Sequence, residues 1–310
     1  MKFFEDFEEE RNLIFEDLKK YLKSLDYPLG ELGVEFLENF SKTLKGFDTF
    51  LLFPYWISDE FDVENKKLIN RNLAKSSVYG ISYFRIQDDV IDEPEKIDPN
   101  LLLLANVFVI KTVKLYLELI PRKSEFWVHF ENIVEESSNA ALLEKMRYSF
   151  DKKADFKDLS YMGKKFSTMK IPCFAYVFLE DRALERLTPF SRFIEKFGTA
   201  QQIFNDAVGW KDDFEHRQMT YPLFLGLEKL KEEGIVESYL DATLEDLMTI
   251  YLMTDIQEKT LELSKSYYEK ALSHLEDLNV PYLKEFVKFS ILRTKKAVEN
   301  LKLEKENLIK

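Results

Sequence analysis

Helix-breaking residues are rare in this sequence and stand far apart. Gly and Pro number nine each in 310 residues. Between them lie long stretches rich in Leu, Glu, Lys and Phe, which favour or tolerate helices. Apolar residues recur there at three- and four-residue steps, for instance over 159–178 and 244–275. Because no series of short alternating strands with hairpin turns interrupts the pattern, the sequence predicts an all-α fold.

The breakers divide the chain into ten predicted helices. Two helices have clear start signals, because Asp98-Pro99 and Thr188-Pro189 each place a capping residue before a proline. No linker, low-complexity tract or internal repeat separates the helices, so residues 1–310 are expected to form one domain. The predicted helices are 3–25, 31–53, 62–92, 100–119, 124–148, 156–180, 189–214, 222–232, 243–277 and 282–306.

Composition and charge narrow the classes of partner. Hydrophobic residues make up 45% and charged residues 32%, as in ordinary globular proteins. The net charge of −12 disfavours nucleic acid, which needs a basic binding surface. Cys173 is the sole cysteine, so no intramolecular disulfide is expected. The acidic run 1–11 lacks the features of a signal peptide, and the apolar run 101–110 is too short to span a bilayer. A cytoplasmic protein without a transmembrane segment is therefore expected.

An acidic run, YFRIQDDVIDEP at 83–94, closes a long predicted helix. Asp88 and Asp92 stand four residues apart on one helix face, where they repel each other without a cation. The helix macrodipole also disfavours negative charge at a C-terminal end. Mg²⁺ is suited to offset both costs, because it takes one or two carboxylates and completes its shell with water and substrate phosphate. A solvated acidic helix end is the alternative, but the apolar flanks favour carboxylates that rise from a buried helix.

A second polar run, QIFNDAVGWKDD at 202–213, lies in a later predicted helix. Asn205, Gly209 and Asp213 follow at i, i+4 and i+8, which we interpret as one stripe with a carboxamide at one end and a carboxylate at the other. Hard oxygen ligands on one face, opposite a second acidic helix, are able to hold several Mg²⁺ ions around one diphosphate. The two runs together predict a two-part metal site.

These two runs, in this order on an all-helical chain, resemble the motifs of the class I terpene synthase and trans-prenyltransferase superfamily. Residues 88–92, DDVID, match the aspartate-rich motif of that superfamily in full. The resemblance implies a helical bundle around a central apolar cavity, the isoprenoid synthase fold. It also implies three bound Mg²⁺ ions, with Mn²⁺ as a substitute, and metal binding by Asp88, Asp89 and Asp92.

The second run resembles the ND-x-x-(S/T)-x-x-x-E motif of terpene cyclases. Asn205 and Asp206 match it. Asp213 replaces the usual Glu and keeps the carboxylate, whereas Gly209 replaces the usual Ser or Thr. The resemblance implies that the metal ligands of this helix are Asn205, a water that takes the place of the side chain missing at Gly209, and Asp213.

A second resemblance, to squalene and phytoene synthases, stays open. Residues 83–93 look like the first motif of those enzymes. Asp212, Asp213, Arg217 and residues 220–223 look like the end of their second motif, which makes Arg217 a candidate substrate-binding residue. Head-to-tail prenyl diphosphate synthases are disfavoured, because the sequence has no Gly-Gly-Lys-Arg-like stretch near its N-terminus and no second full DDxxD motif. The pairing of Asn205 with Asp213 favours the cyclase side.

Four further basic residues are candidates to hold the diphosphate, whose negative charge grows as its bond to the prenyl group breaks. Arg293 stands where terpene cyclases carry an Arg-Tyr pair, although the Tyr is absent here, and Arg85 lies just before the first acidic motif. Residues 161–172 resemble the region of the pyrophosphate-sensing Arg but contain none, so Lys165 or Lys170 would serve instead. A surface or structural ion pair is the alternative for each.

The activity predicted is that of a Mg²⁺-dependent class I terpene synthase, which ionises an allylic prenyl diphosphate of C10–C20 and converts the carbocation to a terpene. Phe84 and Trp210 are candidates to line the cavity and stabilise that cation, with a plain core role as the alternative. The alternative enzyme is a squalene/phytoene synthase-like or other prenyltransferase that condenses two prenyl units. The alternative from another class is a catalytically inactive helical binding protein. Related enzymes often form homodimers, so a homodimer is an open expectation.

Overall fold

The computed structural model describes residues 2–42, 47–92, 95–151, 155–180 and 184–309, without the side chains of Asp92, Arg147, Leu308 and Ile309. Within these ranges the regular structure is helical and no strand forms, apart from an isolated bridge between Ser149 and Gln218. The predicted all-α class is therefore confirmed. None of the helices in these ranges is both long enough and apolar enough to cross a membrane.

The chain forms two compact units, each assembled from separate segments of the sequence. The first unit consists of Met1–Phe130, Ile171–Leu187 and Leu278–Glu285. The second consists of Glu131–Lys170, Thr188–Asp277 and Phe286–Lys310. The expectation of one domain over 1–310 stays a prediction.

The first unit holds the N-terminal helices and α9, together with the first turns of α7 and α14. Its core is aromatic: Phe53, Trp56 and Phe61 are buried, and the ring of Phe61 stacks on that of Tyr176 with centroids 4.8 Å apart. α5 packs along α6 and α4, which fixes the helix that carries the first acidic motif. The helices are α1 Lys2–Glu5, α2 Glu8–Lys23, α3 Leu29–Lys42, α4 Phe47–Ile57, α5 Lys66–Asp92, α6 Leu101–Leu119 and α9 Lys170–Glu180.

The second unit holds the helix with the second polar run. α11 packs on α12 and α13 over a core that includes Leu223, Leu227, Leu247 and Tyr251. Gly163 of α8 lies against α10, since a Cβ there would come within 2.2 Å of the Glu195 carbonyl oxygen. The helices are α7 Phe126–Arg147, α8 Ser160–Lys164, α10 Leu187–Glu215, α11 Tyr221–Glu232, α12 Leu244–Met253, α13 Ile256–Ser273 and α14 Pro281–Ile309.

Several predicted helices are divided in the structure. The helix predicted over 243–277 breaks between α12 and α13, because Thr254 adopts an extended conformation and Lys305 Nζ donates to its carbonyl oxygen at 2.6 Å. The helix predicted over 156–180 is likewise replaced by α8, a 3₁₀ turn at Ser167–Met169 and α9.

The N-terminal predictions differ in the same way. The helix predicted over 3–25 is divided into α1 and α2. The helix predicted over 31–53 is described as α3 up to Lys42 and as α4 from Phe47, and residues 43–46 between them lie outside the described ranges. Pro54, interpreted as a breaker, lies inside α4. Its carbonyl oxygen accepts a hydrogen bond from the Tyr176 hydroxyl at 3.1 Å. Burial of this helix therefore outweighs the cost of an internal proline.

Candidate metal and diphosphate sites

The first acidic motif forms the last turn of α5, as predicted. Asp88 and Asp89 are half-buried, and Arg85 Nε donates to Asp89 Oδ2 at 3.1 Å. Asp92 is the last residue of the helix, but its side chain lies outside the described part of the structure. The apolar flank is only partly buried, because Ile91 is 63% exposed. Asp88 and Asp89 are therefore partly exposed to solvent, and the role of the motif in metal binding stays a prediction.

The second polar run lies on α10, and helix geometry divides it into two faces. At about 100° per residue, Asn205 and Asp213 point about 80° apart, whereas Asp206 and Asp213, seven residues apart, point within about 20° of each other. Burial follows the same division, since Asn205 is exposed and Asp206 is only 4% exposed. The predicted stripe of Asn205, Gly209 and Asp213 is therefore broader than expected. Asp206, rather than Asn205, shares the inward side of α10 with Asp213.

Asn205 belongs to a chain of hydrogen bonds that leads to Arg293. Gln201 Nε2 donates to Asn205 Oδ1 at 2.8 Å, and Gln201 Oε1 accepts from the Tyr268 hydroxyl at 2.7 Å and from Arg293 Nη2 at 3.2 Å. The Arg293 guanidinium carbon lies 4.1 Å from the centre of the Phe204 ring. Arg293 Nε is buried and has no hydrogen-bond partner among the described residues. The structure therefore brings Arg293 and Asn205 together through Gln201, with a donor of Arg293 still unused.

Asp206 is a buried acid held by a glutamine one turn earlier on α10. Gln202 Nε2 donates to Asp206 Oδ1 at 2.8 Å. Burial, and then the nearby carboxylates of Asp213 and Glu144, raise the pKa of Asp206 well above its usual range, which the Gln202 hydrogen bond and the Lys165 charge oppose.

Asp213 has an unsatisfied oxygen. Its Oδ2 is buried and without a hydrogen-bond partner in the described part of the chain, and so are the hydroxyls of Thr220 and Tyr251. Burial raises the pKa of Asp213 to about 6, helped by the Asp212 and Glu144 carboxylates and opposed by Thr220 and His216. The Thr220 hydroxyl, itself without a partner, is near enough to lower the pKa of Asp213, so these two groups are suited to satisfy each other. A cation or a proton is the other partner that would satisfy this buried oxygen.

Lys165 and Lys170, the two lysines expected to bind diphosphate, both form ion pairs with glutamates of the second unit. Lys165 donates to Glu144. Lys170 is buried, and its Nζ lies 2.8 Å from Glu136 Oε2 and 3.3 Å from Glu195 Oε1. These contacts favour the alternative role of both lysines, a structural ion pair, and diphosphate binding by either lysine stays a prediction.

The other candidate residues lie in plainer surroundings. Arg217 is exposed, in the left-handed region at φ 54°, with its guanidinium 5.2 Å from the Phe214 ring centre. Trp210 is buried edge-on against Tyr251, with ring centres 4.6 Å apart. The ring of Phe84, in the first unit, is half-buried beside Tyr83. None of these contacts tests a role in substrate binding.

Gly209 lies beside open space, and the water expected to take the place of a ligand side chain there stays a prediction. A Cβ at Gly209 would meet no atom within 4 Å among the described residues, so close packing does not require glycine there. The space beside it is open to a water or a ligand.

Sequence reasoning missed Asp206 as an inward-facing acid and missed Glu144 entirely. The i, i+7 spacing of Asp206 and Asp213 was a usable signal, because it repeats the same helix face after two turns. Glu144 had no local signal. It comes from α7, and only the packing of helices within the second unit brings it to α10.

The oxygen donors of both runs fit Mg²⁺. Asp88, Asp89 and Asp213 offer hard carboxylate oxygens, and Asp213 Oδ2 is an orphaned acceptor. No group of three or more His, Cys, Asp or Glu side chains within the described ranges is able to hold a metal ion alone. Mg²⁺ commonly binds through one or two carboxylates plus substrate phosphate, so neither run needs to be a complete site by itself.

The fold is similar to that of solved prenyl diphosphate synthases. The first, a heptaprenyl diphosphate synthase from Staphylococcus aureus, has a TM-score of 0.74 and 15% identity, and the match covers 94% of this chain and 98% of that chain. A decaprenyl diphosphate synthase from Rhodobacter capsulatus has a TM-score of 0.71 and 14% identity, over 94% and 98%. A geranylgeranyl pyrophosphate synthetase from the archaeon Geoglobus acetivorans has a TM-score of 0.67 and 16% identity, over 94% and 99%.

This likeness confirms the predicted isoprenoid synthase fold. No protein-family model and no curated protein matches the sequence. Identities of 14 to 16% establish the fold and leave the activity to be argued from the residues. The central apolar cavity stays a prediction.

Proposed function

We propose that this chain is a Mg²⁺-dependent prenyltransferase that ionises an allylic prenyl diphosphate and joins the prenyl group to a second isoprenoid unit. The observation that carries the proposal is the fold likeness, over 94% of the chain, to solved enzymes described as prenyl diphosphate synthases. The complete DDxxD run at the end of α5 supports it, because that fold and that run together fit diphosphate chemistry.

The roles proposed follow from donor type and access. Asp88, Asp89 and Asp92 hold Mg²⁺ on α5, and Asp213 offers its unpartnered oxygen on α10. Mg²⁺, when bound, neutralises the negative charge that develops on the leaving diphosphate. The free donor of Arg293 is suited to the same anion.

The bond changes are balanced without any redox partner. The allylic C–O bond breaks, and its electron pair leaves with the diphosphate. The π electrons of the acceptor isoprenoid then form the new C–C bond to the allylic cation. A proton leaves the acceptor carbon, and the diphosphate is suited to receive it. Exclusion of water during these steps prevents capture of the cation as an alcohol.

A terpene synthase is the second candidate. The second run has Asn205 where a full DDxxD would begin and Gly209 where it would end, and the spacing of Asn205 and Asp213 resembles the cyclase motif. Under this alternative the cation cyclises or loses a proton without a second substrate. The two candidates share the ionisation step and differ in the acceptor.

The test uses the purified full chain with geranyl, farnesyl or geranylgeranyl diphosphate, with and without isopentenyl diphosphate and Mg²⁺. A longer prenyl diphosphate, formed only with isopentenyl diphosphate and Mg²⁺, would support head-to-tail transfer. A product of doubled carbon number from one allylic substrate would support head-to-head transfer. A monomeric hydrocarbon or alcohol would support the terpene synthase.

A matched pair of variants separates chemistry from folding. Asp88→Asn is expected to lower kcat by roughly a hundredfold or more, because it removes a metal carboxylate, while leaving thermal unfolding unchanged. Asp277→Asn, at an exposed Asp outside both runs, is expected to be silent. No diphosphate release by wild-type protein from any of the three substrates would overturn the proposal and favour the inactive binding protein.

A further inference from the structure

We propose that Gln201 of α10 is a positioning residue for the proposed reaction, because it holds Asn205 and Arg293 in fixed orientations. This inference rests on the proposed function, in which Arg293 binds the leaving diphosphate, and on the prediction that Asn205 binds Mg²⁺. Gln201 lies just outside the second polar run of 202–213 and acts through these two residues.

The Gln201 carboxamide joins three helices of the second unit. The Tyr268 hydroxyl of α13 donates to Gln201 Oε1 at 2.7 Å, and Arg293 Nη2 of α14 donates to the same oxygen at 3.2 Å. Arg293 Nη2 also donates to the Tyr268 hydroxyl oxygen at 3.3 Å. On the other side, Gln201 Nε2 donates to Asn205 Oδ1 at 2.8 Å. Both groups expected to meet ligands are therefore in direct contact with Gln201.

Donor and acceptor chemistry fixes the direction of the bonds in this network. A guanidinium only donates, so Gln201 must turn Oε1 to Arg293 and its NH2 group to Asn205. Asn205 must then present Oδ1, which keeps a second lone pair for a cation. Because Asn205 is exposed, packing does not hold its carboxamide. The bond from Gln201 therefore decides which end of the Asn205 carboxamide is fixed.

Arg293 differs from the paired lysines of the second unit. In the described part of the chain its contacts are with the Gln201 carboxamide, the Tyr268 hydroxyl and the Phe204 ring, and none of these partners is a carboxylate. Its Nε is buried and has no hydrogen-bond partner there. Neutral groups thus hold the guanidinium in place and leave its charge to an anion.

The experiment compares Gln201→Met, which removes the hydrogen bonds of the carboxamide at similar side-chain length, with Arg293→Met and the double variant. Asn300→Ala, at an exposed carboxamide of α14, is the control. The unfolding temperature and kcat of the full chain are measured. So are the concentrations of inorganic diphosphate and of Mg²⁺, each varied with the other held constant, that raise the unfolding temperature by a set amount. These concentrations report binding without turnover.

A positioning role predicts that Gln201→Met needs roughly tenfold more diphosphate and roughly tenfold more Mg²⁺ for the same rise, with kcat lowered roughly tenfold. The double variant needs no more diphosphate than Arg293→Met, because Gln201 acts on the diphosphate through Arg293. Asn300→Ala is silent.

Tyr268→Phe is a second variant that tests the same network if Gln201→Met does not fold. It removes one donor to Gln201 and keeps the buried ring, whose centre lies 5.5 Å from that of Phe197. Both ligand concentrations are expected to rise in Tyr268→Phe, by a smaller factor than in Gln201→Met. Wild-type concentrations in Tyr268→Phe would contradict the positioning network.

A Gln201 that only ties α10 to α13 and α14 predicts other results, which would overturn the inference. The unfolding temperature of Gln201→Met would fall, while kcat and both ligand concentrations stayed at wild-type values. An equal increase in the diphosphate concentration with and without Arg293 would also overturn it. If wild-type protein neither turned over an allylic diphosphate nor gained stability from inorganic diphosphate with Mg²⁺, the proposed function would have failed, and the inference with it. Failure of the inference alone leaves both wild-type properties intact.

Discussion

Glu10 in the first unit and Asp213 in the second are carboxylates in opposite situations. Glu10 accepts from Arg71 Nε at 2.7 Å and Nη2 at 2.9 Å, and from the Tyr55 hydroxyl at 3.1 Å, with Lys67 Nζ 3.2 Å away. The Arg71 hydrogen bonds lower the pKa of Glu10 to about 2 against a partial desolvation cost. Burial instead raises the pKa of Asp213 to about 6, and one of its oxygens has no partner within the described ranges.

The difference separates two uses of a carboxylate. Glu10 has its charge matched by the protein itself, so it joins α2 to α5 and leaves nothing for a ligand. Asp213 is held where its charge is poorly matched, which costs stability and is tolerated where a ligand completes the site. A shifted pKa by itself does not mark a functional residue, because the pKa values of both Glu10 and Asp213 are shifted. Asp213 differs in the upward direction of its shift and in the missing hydrogen-bond partner of its Oδ2 within the described ranges.

The largest stability effect is expected at Glu10. Glu10→Gln should lower the free energy of unfolding by about 2 kcal/mol at neutral pH, because it removes a charge matched by Arg71 and Lys67 and partly screened by solvent. The folded pKa of Glu10 is depressed, so its contribution is present above 4.5 and is lost as pH falls toward about 2. Urea unfolding of wild type and variant across that range measures the difference.

The neighbouring exposed acid provides the control for this prediction. Glu9→Gln should change the free energy of unfolding by less than about 0.5 kcal/mol, since Glu9 lies on the solvent side of α2. A Glu10→Gln loss that persisted unchanged below pH 4.5, or an equal loss in Glu9→Gln, would contradict a charge-matched Glu10.

The fold was predictable because its cause is local. Sparse breakers and three- and four-residue apolar steps are present in the sequence itself, and so is the acidic end of α5. The helix breaks were harder to predict for a physical reason. The break before α13 depends on Lys305, from a distant segment, which satisfies the carbonyl of Thr254.

The candidate site was predictable only along single helices. Asp88 and Asp213 were found because their motifs are contiguous. Glu144 was missed because nothing near it in the sequence shows its partner. That partner is Lys165, which lies 21 residues away and contacts Glu144 only once α7 and α8 pack together. The ion pair of Lys165 was hidden for the same reason, since a sequence shows a cation without showing the anion that pairs with it, and diphosphate binding by Lys165 stays a prediction.

A smaller effect of opposite sign is expected at Asp213. In protein kept free of divalent ions, Asp213→Asn should raise the free energy of unfolding by about 1 kcal/mol at neutral pH, because it removes a charge that burial disfavours. The folded pKa of Asp213 is raised, so its favourable contribution is complete below 3.8 and is lost as pH rises through about 6. The advantage of the variant should therefore appear above pH 6 and vanish below 3.8.

Chelated protein is needed for this comparison, because a bound cation would reverse the sign. Unfolding is measured in urea with a chelator and then with added Mg²⁺ and inorganic diphosphate. Asp277→Asn, at an exposed site, serves as the control that should not change at any pH. A destabilised Asp213→Asn in chelated protein would mean that Asp213 is matched within the protein, as Glu10 is, and would remove the contrast between them.

The smallest change in the free energy of unfolding is expected at Arg85. Its partner Asp89 is neither fully matched in charge, as Glu10 is, nor buried, as the Asp213 oxygen is. Its pair with Asp89 is an i, i+4 contact of 3.1 Å with side chains 51% and 33% exposed, and it runs from base to acid, the weaker direction along a helix. Arg85→Gln should therefore change the free energy of unfolding by less than about 0.5 kcal/mol. Lys259→Gln is the comparison variant, because Lys259 forms an exposed i, i+4 pair with Asp255 at 3.0 Å that runs in the stronger direction, from acid to base.

Urea unfolding of both variants at low and high salt measures these effects. Small losses in both variants that disappear in high salt would mean that the Arg85–Asp89 pair is screened by solvent and that Asp89 does not depend on Arg85 for its charge balance. A loss above about 1 kcal/mol in Arg85→Gln alone would mean that Asp89 depends on Arg85 for its charge balance. The acids of α5 would then resemble Glu10 more than Asp213, and their availability to a metal ion would require that pair to open first.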